Sequence, residues 1–221
     1  VMDLEILRKV PLFADLDSAH LESILRVTET RSIARGQVLF SEGDRGDSLY
    51  LVLAGRVKAA LIAEDGRELI LAILGPGEIV GEMALFDLEE QRSATVVTLE
   101  DCQFLTLSGA QFKSVLNQNP AIAITLLRTL SARLKETSSR IANLIFLDTY
   151  SRVGRFLLDL AKRQGKRLAD GSVLVTRPPQ QEIAHYIGSS RETVSRALKD
   201  LEKQGLIRLA GRKILLFRLK K

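Results

Sequence analysis

Two kinds of hydrophobic spacing alternate along the chain. Between residues 4 and 28, apolar side chains recur at helical intervals, which predicts short helices with Ser18 as the N-cap of the last one. From residue 31 onward, apolar and β-branched residues come in short runs separated by turns rich in Gly and Asp. These runs predict strands at 37–40, 48–53, 57–62, 69–74, 94–98 and 103–107. Short strands with a glycine at nearly every bend favour a small β-roll of the jelly-roll type.

A long uninterrupted helix is predicted after the roll. Ser108 is expected to cap a short helix, and Asn119 followed by Pro120 predicts the N-cap and first position of the next. Neither Pro nor Gly follows before Leu147, so this helix would be about 42 Å long. Its apolar positions are spaced three and four apart, as in the seam of a two-stranded coiled coil, which predicts a homodimer. The seam consists of Leu127, Leu130, Leu134, Thr137, Ile141 and Leu144. The alternative is a helix that packs only on its own roll.

A third, smaller unit is predicted after residue 147. Asp148 is expected to cap a new helix, residues 173–175 form a strand, and residues 180–201 read as helix, short turn and helix, with Gly188 at the turn. Residues 206–209 and 213–217 predict a hairpin, or wing, with a basic tip. The predicted fold class is therefore α+β. It comprises a ligand-binding β-roll at 1–118, a long dimerisation helix at 119–147 and a winged helix-turn-helix domain at 148–221.

Charge is distributed unevenly between these units. Lys and Arg minus Asp and Glu gives 15 − 20 = −5 for residues 1–147 and 17 − 7 = +10 for residues 148–221. A strongly basic C-terminal unit on an acidic larger one indicates an anionic polymer bound by that unit alone. A basic surface that is merely solvated is the alternative.

Composition argues against several classes of protein. One cysteine, Cys102, excludes an intrachain disulfide framework, and with only His20 and His185 a metal centre is not expected. A jelly-roll enzyme of the cupin type needs clustered His and carboxylate ligands, so no catalytic site is predicted. No apolar run approaches the ~20 residues of a membrane span, and the first five residues lack signal-peptide character. We therefore expect a cytoplasmic protein with no membrane partner.

The stretch 77–96 has the composition of an anion pocket. Gly77 and Gly81 let the backbone approach a ligand closely, and a helical turn at 83–86 would direct free N–H groups toward it. The chain is expected to bring Arg92 and Ser93 back to this pocket. A carboxylate there, Glu82, is expected only if it accepts a hydrogen bond from a hydroxyl of the same ligand, which indicates a sugar joined to the phosphate. The alternative is a surface Glu–Arg pair on a β-turn.

Two motifs together resemble one family over essentially the whole chain. The first is Gly81-Glu82-Met83-Ala84-Leu85 with Arg92-Ser93-Ala94, and the second runs from Ser190 to Arg196 as SRETVSR. They resemble the CRP/FNR superfamily of bacterial transcription regulators, closest to the cyclic-AMP receptor (catabolite activator) proteins. The resemblance implies cyclic AMP as an allosteric ligand, its phosphate held by Arg92 and Ser93 and its ribose 2′-hydroxyl by Glu82.

The resemblance also assigns the remaining contacts of the ligand. Thr137 and Ser138 would reach the amino edge of the purine, with Ser138 coming from the partner subunit. The full set of implied ligand-binding residues is Gly81, Glu82, Met83, Arg92, Ser93, Thr137 and Ser138. Cyclic GMP, cyclic di-GMP or activity without any ligand stays open as an alternative.

The second motif implies DNA recognition. Arg191 and Arg196 can each hydrogen-bond guanine, and Glu192 can accept from cytosine N4. The implied DNA-binding residues are Ser190, Arg191, Glu192, Thr193 and Arg196, reading a TGTGA-like half-site of an inverted repeat in double-stranded DNA. RNA polymerase is a further implied partner.

Three points qualify this assignment. Ser189 and Glu192 also fit an S-x-x-E capping box, which would give the carboxylate a structural role. Relatives often have Thr-Arg where this chain has Pro179-Gln180, which removes a helix cap and a phosphate contact. A sensor that regulates a protein partner instead of DNA is the remaining alternative, and the +10 C-terminal unit argues against it.

Overall fold

The computed structural model describes residues 4–8 and 10–217. Residues 1–3, on which part of the signal-peptide prediction rests, lie outside these ranges. The chain divides into two compact units, one ending at Lys135 and the other beginning at Glu136. No helix within the described ranges is long and apolar enough to cross a bilayer.

Two short helices precede the roll, α1 (Leu4–Arg8) and α2 (Ser18–Val27). The N-cap of α2 is Asp17, whose carboxylate accepts a hydrogen bond from the His20 backbone N–H at 2.9 Å. The prediction that Ser18 caps this helix was therefore wrong by one residue. Both residue types cap well, and the extended backbone of Asp17 decides between them.

The roll consists of two four-stranded antiparallel sheets. Their orders are β1-β8-β3-β6 and β2-β7-β4-β5. The strands are β1 (Glu29–Ile33), β2 (Val38–Phe40), β3 (Ser48–Ala54), β4 (Val57–Ile62), β5 (Glu68–Leu74), β6 (Ile79–Val80), β7 (Thr95–Thr98) and β8 (Cys102–Ser108). All six predicted strands are confirmed to within two residues, whereas β1 and β6 were not predicted.

Strand β3 shows why the apolar runs are nearly continuous. Leu49 and Leu51 belong to a core shared with the helices, and Tyr50 and Val52 belong to a second core between the two sheets. Because successive side chains point to opposite faces, a strand covered on both faces needs apolar residues at every position. Strand β1 lies at a sheet edge with four of its five residues exposed, so it carries no hydrophobic signal.

Helix α3 (Gly109–Gln118) leads into the long helix α4 (Pro120–Phe146). Ser108 caps α3 as predicted, through a capping box with Gln111. Asn119 is the C-cap of α3, and its side-chain amide donates to the Val115 carbonyl oxygen at 3.4 Å. The long helix begins at Pro120, directly after Asn119, as predicted, and capping of α4 by the Asn119 side-chain oxygen stays a prediction.

The second unit contains the helix-turn-helix. Asp148 caps α5 (Thr149–Gln164) as predicted, accepting from the Ser151 N–H at 2.7 Å. It is followed by β9 (Lys166–Arg167), β10 (Val173–Thr176), α6 (Gln180–Ile187), α7 (Arg191–Lys203), β11 (Ile207–Ala210) and β12 (Lys213–Leu216). The sheet order β11-β12-β10-β9 puts the predicted wing, β11–β12, at one edge. Buried residues of α5, α6, α7 and this sheet form one hydrophobic cluster.

Candidate nucleotide and DNA sites

The predicted helical turn of the anion pocket is present as a 3₁₀ turn at Met83–Leu85. Gly81 enters it with φ of +85°, a conformation that L side chains rarely adopt. On the returning segment, the Ser93 hydroxyl donates to the Met83 sulfur at 3.6 Å. The structure therefore brings together the two ends of the predicted motif.

Arg92 lies at the centre of this motif and is only 4% exposed. Its Nη1 donates to the Gly81 carbonyl oxygen at 2.8 Å, and its Nη2 lies 3.5 Å from the Ser48 hydroxyl. Its Nε is buried without a hydrogen-bond partner among the described residues. Desolvation lowers the pKa of Arg92, because burial penalises the charged form. A buried cation with an unused donor is what an anion-binding site requires before its ligand arrives.

Glu82 is 2% exposed, and its partner is a residue that the sequence did not reveal. Arg133 of α4 donates to Glu82 Oε1 at 2.6 Å and to the Ile79 carbonyl oxygen at 2.7 Å. Burial raises the pKa of Glu82, and the charge of Arg133 acts in the opposite direction. The ion pair thus favours a carboxylate that can accept a hydrogen bond from a sugar hydroxyl.

The structure brings together five of the seven predicted ligand residues. Gly81, Glu82, Met83, Arg92 and Ser93 all belong to the first unit, within one loop and its return. Thr137 and Ser138 lie on α4 in the second unit, where both side chains are exposed. Their assignment to the purine stays a prediction.

Gly81 offers a direct test of the pocket. A Cβ added at Gly81 would lie 2.5 Å from Arg92 Nη1, whereas one added at Gly43, with a similar φ of +81°, meets nothing within 4 Å. Both Gly81→Ala and Gly43→Ala impose a backbone strain of about 1 kcal/mol. Only Gly81→Ala should displace the guanidinium, and we expect it to weaken binding of the predicted cyclic nucleotide by about 10-fold or more, as expected when a charge-assisted hydrogen bond is lost. Calorimetry and urea unfolding of the two variants would measure this, and equal affinities would contradict it.

The turn between α6 and α7 lies at Gly188, as predicted from the sequence. Gly188 ends α6 in the left-handed region, with φ of +63°, and the Ser189 N–H donates back to the Ala184 carbonyl oxygen. The N-cap of α7 is Ser190, whose hydroxyl accepts from the Thr193 N–H at 3.2 Å. The Ser189–Glu192 capping box was therefore wrong, because the helix begins one residue later.

Helix α7 separates its apolar and polar residues cleanly. Val194, Leu198 and Leu201 are buried against the rest of the unit. On the opposite side, Arg191, Glu192 and Arg196 are exposed. Thr193 is half-buried and lies 3.5 Å from Arg196 Nη2. The face predicted to read bases is thus free to enter a groove.

The sequence also missed Arg177 beside this helix. A cavity of about 370 Å³ is lined by Arg177, Pro179, Gln180, Gln181 and Arg191. Pro179 precedes α6 and makes no side-chain cap, as predicted from Pro179-Gln180 standing where relatives often have Thr-Arg. The wing reaches the same place, since the Arg177 N–H donates to the Arg212 carbonyl oxygen at 2.8 Å. Two arginines line the cavity, so Arg177 is placed to make the phosphate contact that Pro179-Gln180 removes.

The last turns of α4 are joined to the helix-turn-helix by a second unpredicted cluster. The Arg140 guanidinium lies over the Tyr186 ring at 3.9 Å and donates to the Tyr186 carbonyl oxygen at 2.9 Å. Tyr186 donates through its hydroxyl to Glu136 Oε1 at 3.3 Å, and Glu136 also pairs with Arg163. Desolvation raises the pKa of Tyr186 and lowers that of Arg140, consistent with their burial. The helix that carries Thr137 and Ser138 is thereby fixed to α6 within the second unit.

Comparison with known proteins identifies both halves of the chain. Residues 30–119 match the family model of the cyclic nucleotide-binding domain, and residues 151–221 match the Crp-like helix-turn-helix domain. The CRP-like cAMP-activated global transcriptional regulator of Mycobacterium tuberculosis is 36% identical over 213 residues, covering 96% of this chain and 94% of that protein. The cAMP-activated global transcriptional regulator Vfr of Pseudomonas aeruginosa is 34% identical, with coverage of 90% and 94%.

A solved structure agrees with the observed fold. The c-di-GMP responsive global regulator CLP of Xanthomonas campestris superposes with a TM-score of 0.79 at 30% identity, covering 91% of this chain and 100% of that one. The matches extend over both the roll and the helix-turn-helix. This chain therefore belongs to the CRP/FNR family and is a cyclic nucleotide-responsive, DNA-binding transcription regulator.

Proposed function

We propose that this regulator responds to cyclic AMP and binds, as a homodimer, an inverted repeat of TGTGA-like half-sites in double-stranded DNA. The observation that carries the ligand assignment is the Arg92 guanidinium, 4% exposed, with an unpartnered Nε. An unsatisfied buried donor costs about 1–3 kcal/mol, and a ligand phosphate would remove that cost. Arg92 and Ser93 hold the cyclic phosphate in this proposal.

The remaining ligand contacts follow from the geometry and the residue types. Glu82, held by Arg133, accepts a hydrogen bond from the ribose 2′-hydroxyl. Gly81 and Met83 border the sugar and phosphate. Thr137 and Ser138 contact the amino edge of adenine; this part rests on the sequence resemblance.

A second candidate function differs only in the nucleotide. The relatives from M. tuberculosis and P. aeruginosa are named as cAMP-activated, whereas the X. campestris regulator is described as c-di-GMP responsive. The Glu82–Arg133 pair suits either candidate, because cyclic AMP, cyclic GMP and cyclic di-GMP all retain a free ribose 2′-hydroxyl that can donate a hydrogen bond to a carboxylate. The contacts to the purine must therefore separate the three nucleotides.

Calorimetric titration with cyclic AMP, cyclic GMP and cyclic di-GMP tests this assignment. We expect cyclic AMP to bind at least about 10-fold more tightly than the other two, a difference of about 1.4 kcal/mol. Tightest binding of cyclic di-GMP would instead support the second candidate. No binding of any of the three would contradict a cyclic-nucleotide trigger.

For DNA, the exposed face of α7 supplies the base contacts. Arg191 and Arg196 bind guanine, and Glu192 accepts from cytosine N4. Ser190 and Thr193 border the phosphates at the start of the helix, where the backbone N–H groups also favour an anion. RNA polymerase is the expected partner of a regulator bound at such a site, in the cytoplasm.

The homodimer is supported by α4. Four of its apolar seam residues are exposed, with Leu127 at 62% and Leu134 at 68%. The other two are Ile141 and Leu144. Leu130, by contrast, packs partly against the core of the first unit. In a coiled coil, the same helix of a second chain covers such a stripe of exposed leucine and isoleucine. Sedimentation equilibrium should therefore give a molecular mass of twice the 24.5 kDa of one chain.

A further inference from the structure

The Arg92 guanidinium rests on an aromatic stack. Its central carbon lies 4.2 Å from the centroid of the Phe40 ring and 5.9 Å from that of Tyr50. Phe40 and Tyr50 are stacked at 5.9 Å with an interplanar angle of 28°. Phe104 packs edge-on against Tyr50 at 6.1 Å and 76°. The first three of these distances form a triangle, so the cation lies against both stacked rings and nearest to Phe40, whereas Phe104 packs against Tyr50.

Beside the buried Arg92 guanidinium lies the Phe40 ring, in the position where a buried cation usually has a carboxylate. Within residues 4–8 and 10–217, no carboxylate oxygen lies within 4 Å of the Arg92 guanidinium. Asp44, Asp47 and Glu82 act on the pKa of Arg92 only through longer-range charge interaction. A desolvated guanidinium over a ring is stabilised by the electron-rich face of that ring. Phe40 thus stabilises the charge without occupying its N–H groups.

Gly81 makes this arrangement possible. A Cβ at that position would lie 3.3 Å from Phe40 Cε1 as well as 2.5 Å from Arg92 Nη1. The Phe40 ring lies against the guanidinium carbon and leaves the N–H edge for an anion. Edge-on approach is the geometry of two parallel N–H···O bonds to a phosphate.

We propose that Phe40 is a positioning residue for anion recognition: its ring holds the Arg92 guanidinium flat and charged before the cyclic phosphate arrives. The proposal rests on the cyclic-nucleotide function above and adds a residue that lies outside both sequence motifs. A carboxylate in the same place would satisfy the cation and compete with the ligand, whereas a ring does neither. The strand β2, which carries Phe40, therefore belongs to the ligand site.

The matched variants are Phe40→Leu, which keeps an apolar side chain but removes the ring, and Phe40→Tyr, which keeps the ring. We expect Phe40→Leu to weaken cyclic-AMP binding by about 5- to 30-fold, the range of a desolvated cation–π contact, and Phe40→Tyr to stay within about 2-fold of the unmodified protein. Phe104→Leu makes the same change at a ring that packs on Tyr50 rather than on Arg92, and it should cost stability without a comparable loss of affinity. Calorimetry and thermal unfolding separate these outcomes.

A readout on the unmodified protein guards against variants that fail to fold. In spectra of the ¹⁵N-arginine-labelled protein, the side-chain N–H resonances of Arg92, assigned by their absence in Arg92→Lys, should be shifted upfield by the Phe40 ring current. Unshifted resonances, or unchanged affinity in a folded Phe40→Leu protein that binds cyclic AMP normally, would overturn the proposal and leave the proposed function standing. Absence of cyclic-AMP binding by the unmodified protein would instead remove the proposed function on which it rests.

Discussion

Replacing Arg92 by leucine should abolish cyclic-AMP binding while the protein stays folded. The guanidinium is the buried cation of the roll, and the loss of one or more charge-assisted hydrogen bonds to a phosphate corresponds to about 100-fold or more in affinity. The Phe40 ring beside Arg92 offers leucine an apolar surface to pack on. Since burial penalises the charged form of Arg92, we expect the free energy of unfolding of Arg92→Leu to fall by no more than about 1 kcal/mol.

The control for this variant is Arg45→Leu. Arg45 comes from a neighbouring loop, but its side chain is 82% exposed and pairs with Glu90 at 3.0 Å. Arg45 has the same charge as Arg92 but is exposed to solvent, so Arg45→Leu should leave cyclic-AMP affinity nearly unchanged. Titration calorimetry measures both variants. If Arg92→Leu bound cyclic AMP as tightly as Arg45→Leu, the anion site would have to lie elsewhere.

Replacing Arg191 by alanine should reduce the preference for the TGTGA site over other sequences without abolishing DNA binding. An arginine that binds guanine in a bidentate manner contributes about 1–3 kcal/mol of discrimination at each half-site. Arg191→Ala should therefore bring the affinities for a TGTGA inverted repeat and a scrambled duplex close together. Fluorescence anisotropy with the two duplexes, at matched salt, gives the ratio directly.

Arg167→Ala is the matched control for Arg191→Ala. Arg167 is exposed on β9, at the sheet edge opposite the wing strand β11. Losing this charge can weaken binding to any duplex, but it should leave the ratio between the two duplexes unchanged. A preserved ratio in Arg191→Ala as well would show that another residue reads the site.

Much of this fold follows from local sequence signals. Strands such as β3 are apolar on both faces, and the turn at Gly188 and the cap at Asp148 each depend on one residue type at one position. Strand β1 escaped prediction because edge pairing with β8 needs only backbone hydrogen bonds, and its side chains are polar and exposed. The cap of α7 fell on Ser190 instead of Ser189, since two adjacent serines give the same signal.

Arg133 and Phe40 escaped prediction because their contacts are made between residues far apart in the chain. Arg133 lies 51 residues from Glu82 and looks, in the sequence, like any exposed arginine of a helix. Phe40 reads as the end of a short strand, and only folding places its ring against Arg92. Motifs whose members are close in sequence, such as Arg92 with Ser93, carry a local pattern, whereas their supporting partners carry none.

Control of DNA binding by cyclic AMP can be measured on the unmodified protein. The affinity of the unmodified protein for a duplex with a TGTGA inverted repeat is measured by anisotropy, with and without saturating cyclic AMP, over a range of salt concentrations. We expect cyclic AMP to raise this affinity by about 10-fold or more, within the usual range of allosteric coupling, with little effect on a scrambled duplex. Equal affinity with and without the nucleotide would show that cyclic AMP does not control DNA binding, because a ligand that binds both states equally shifts no equilibrium.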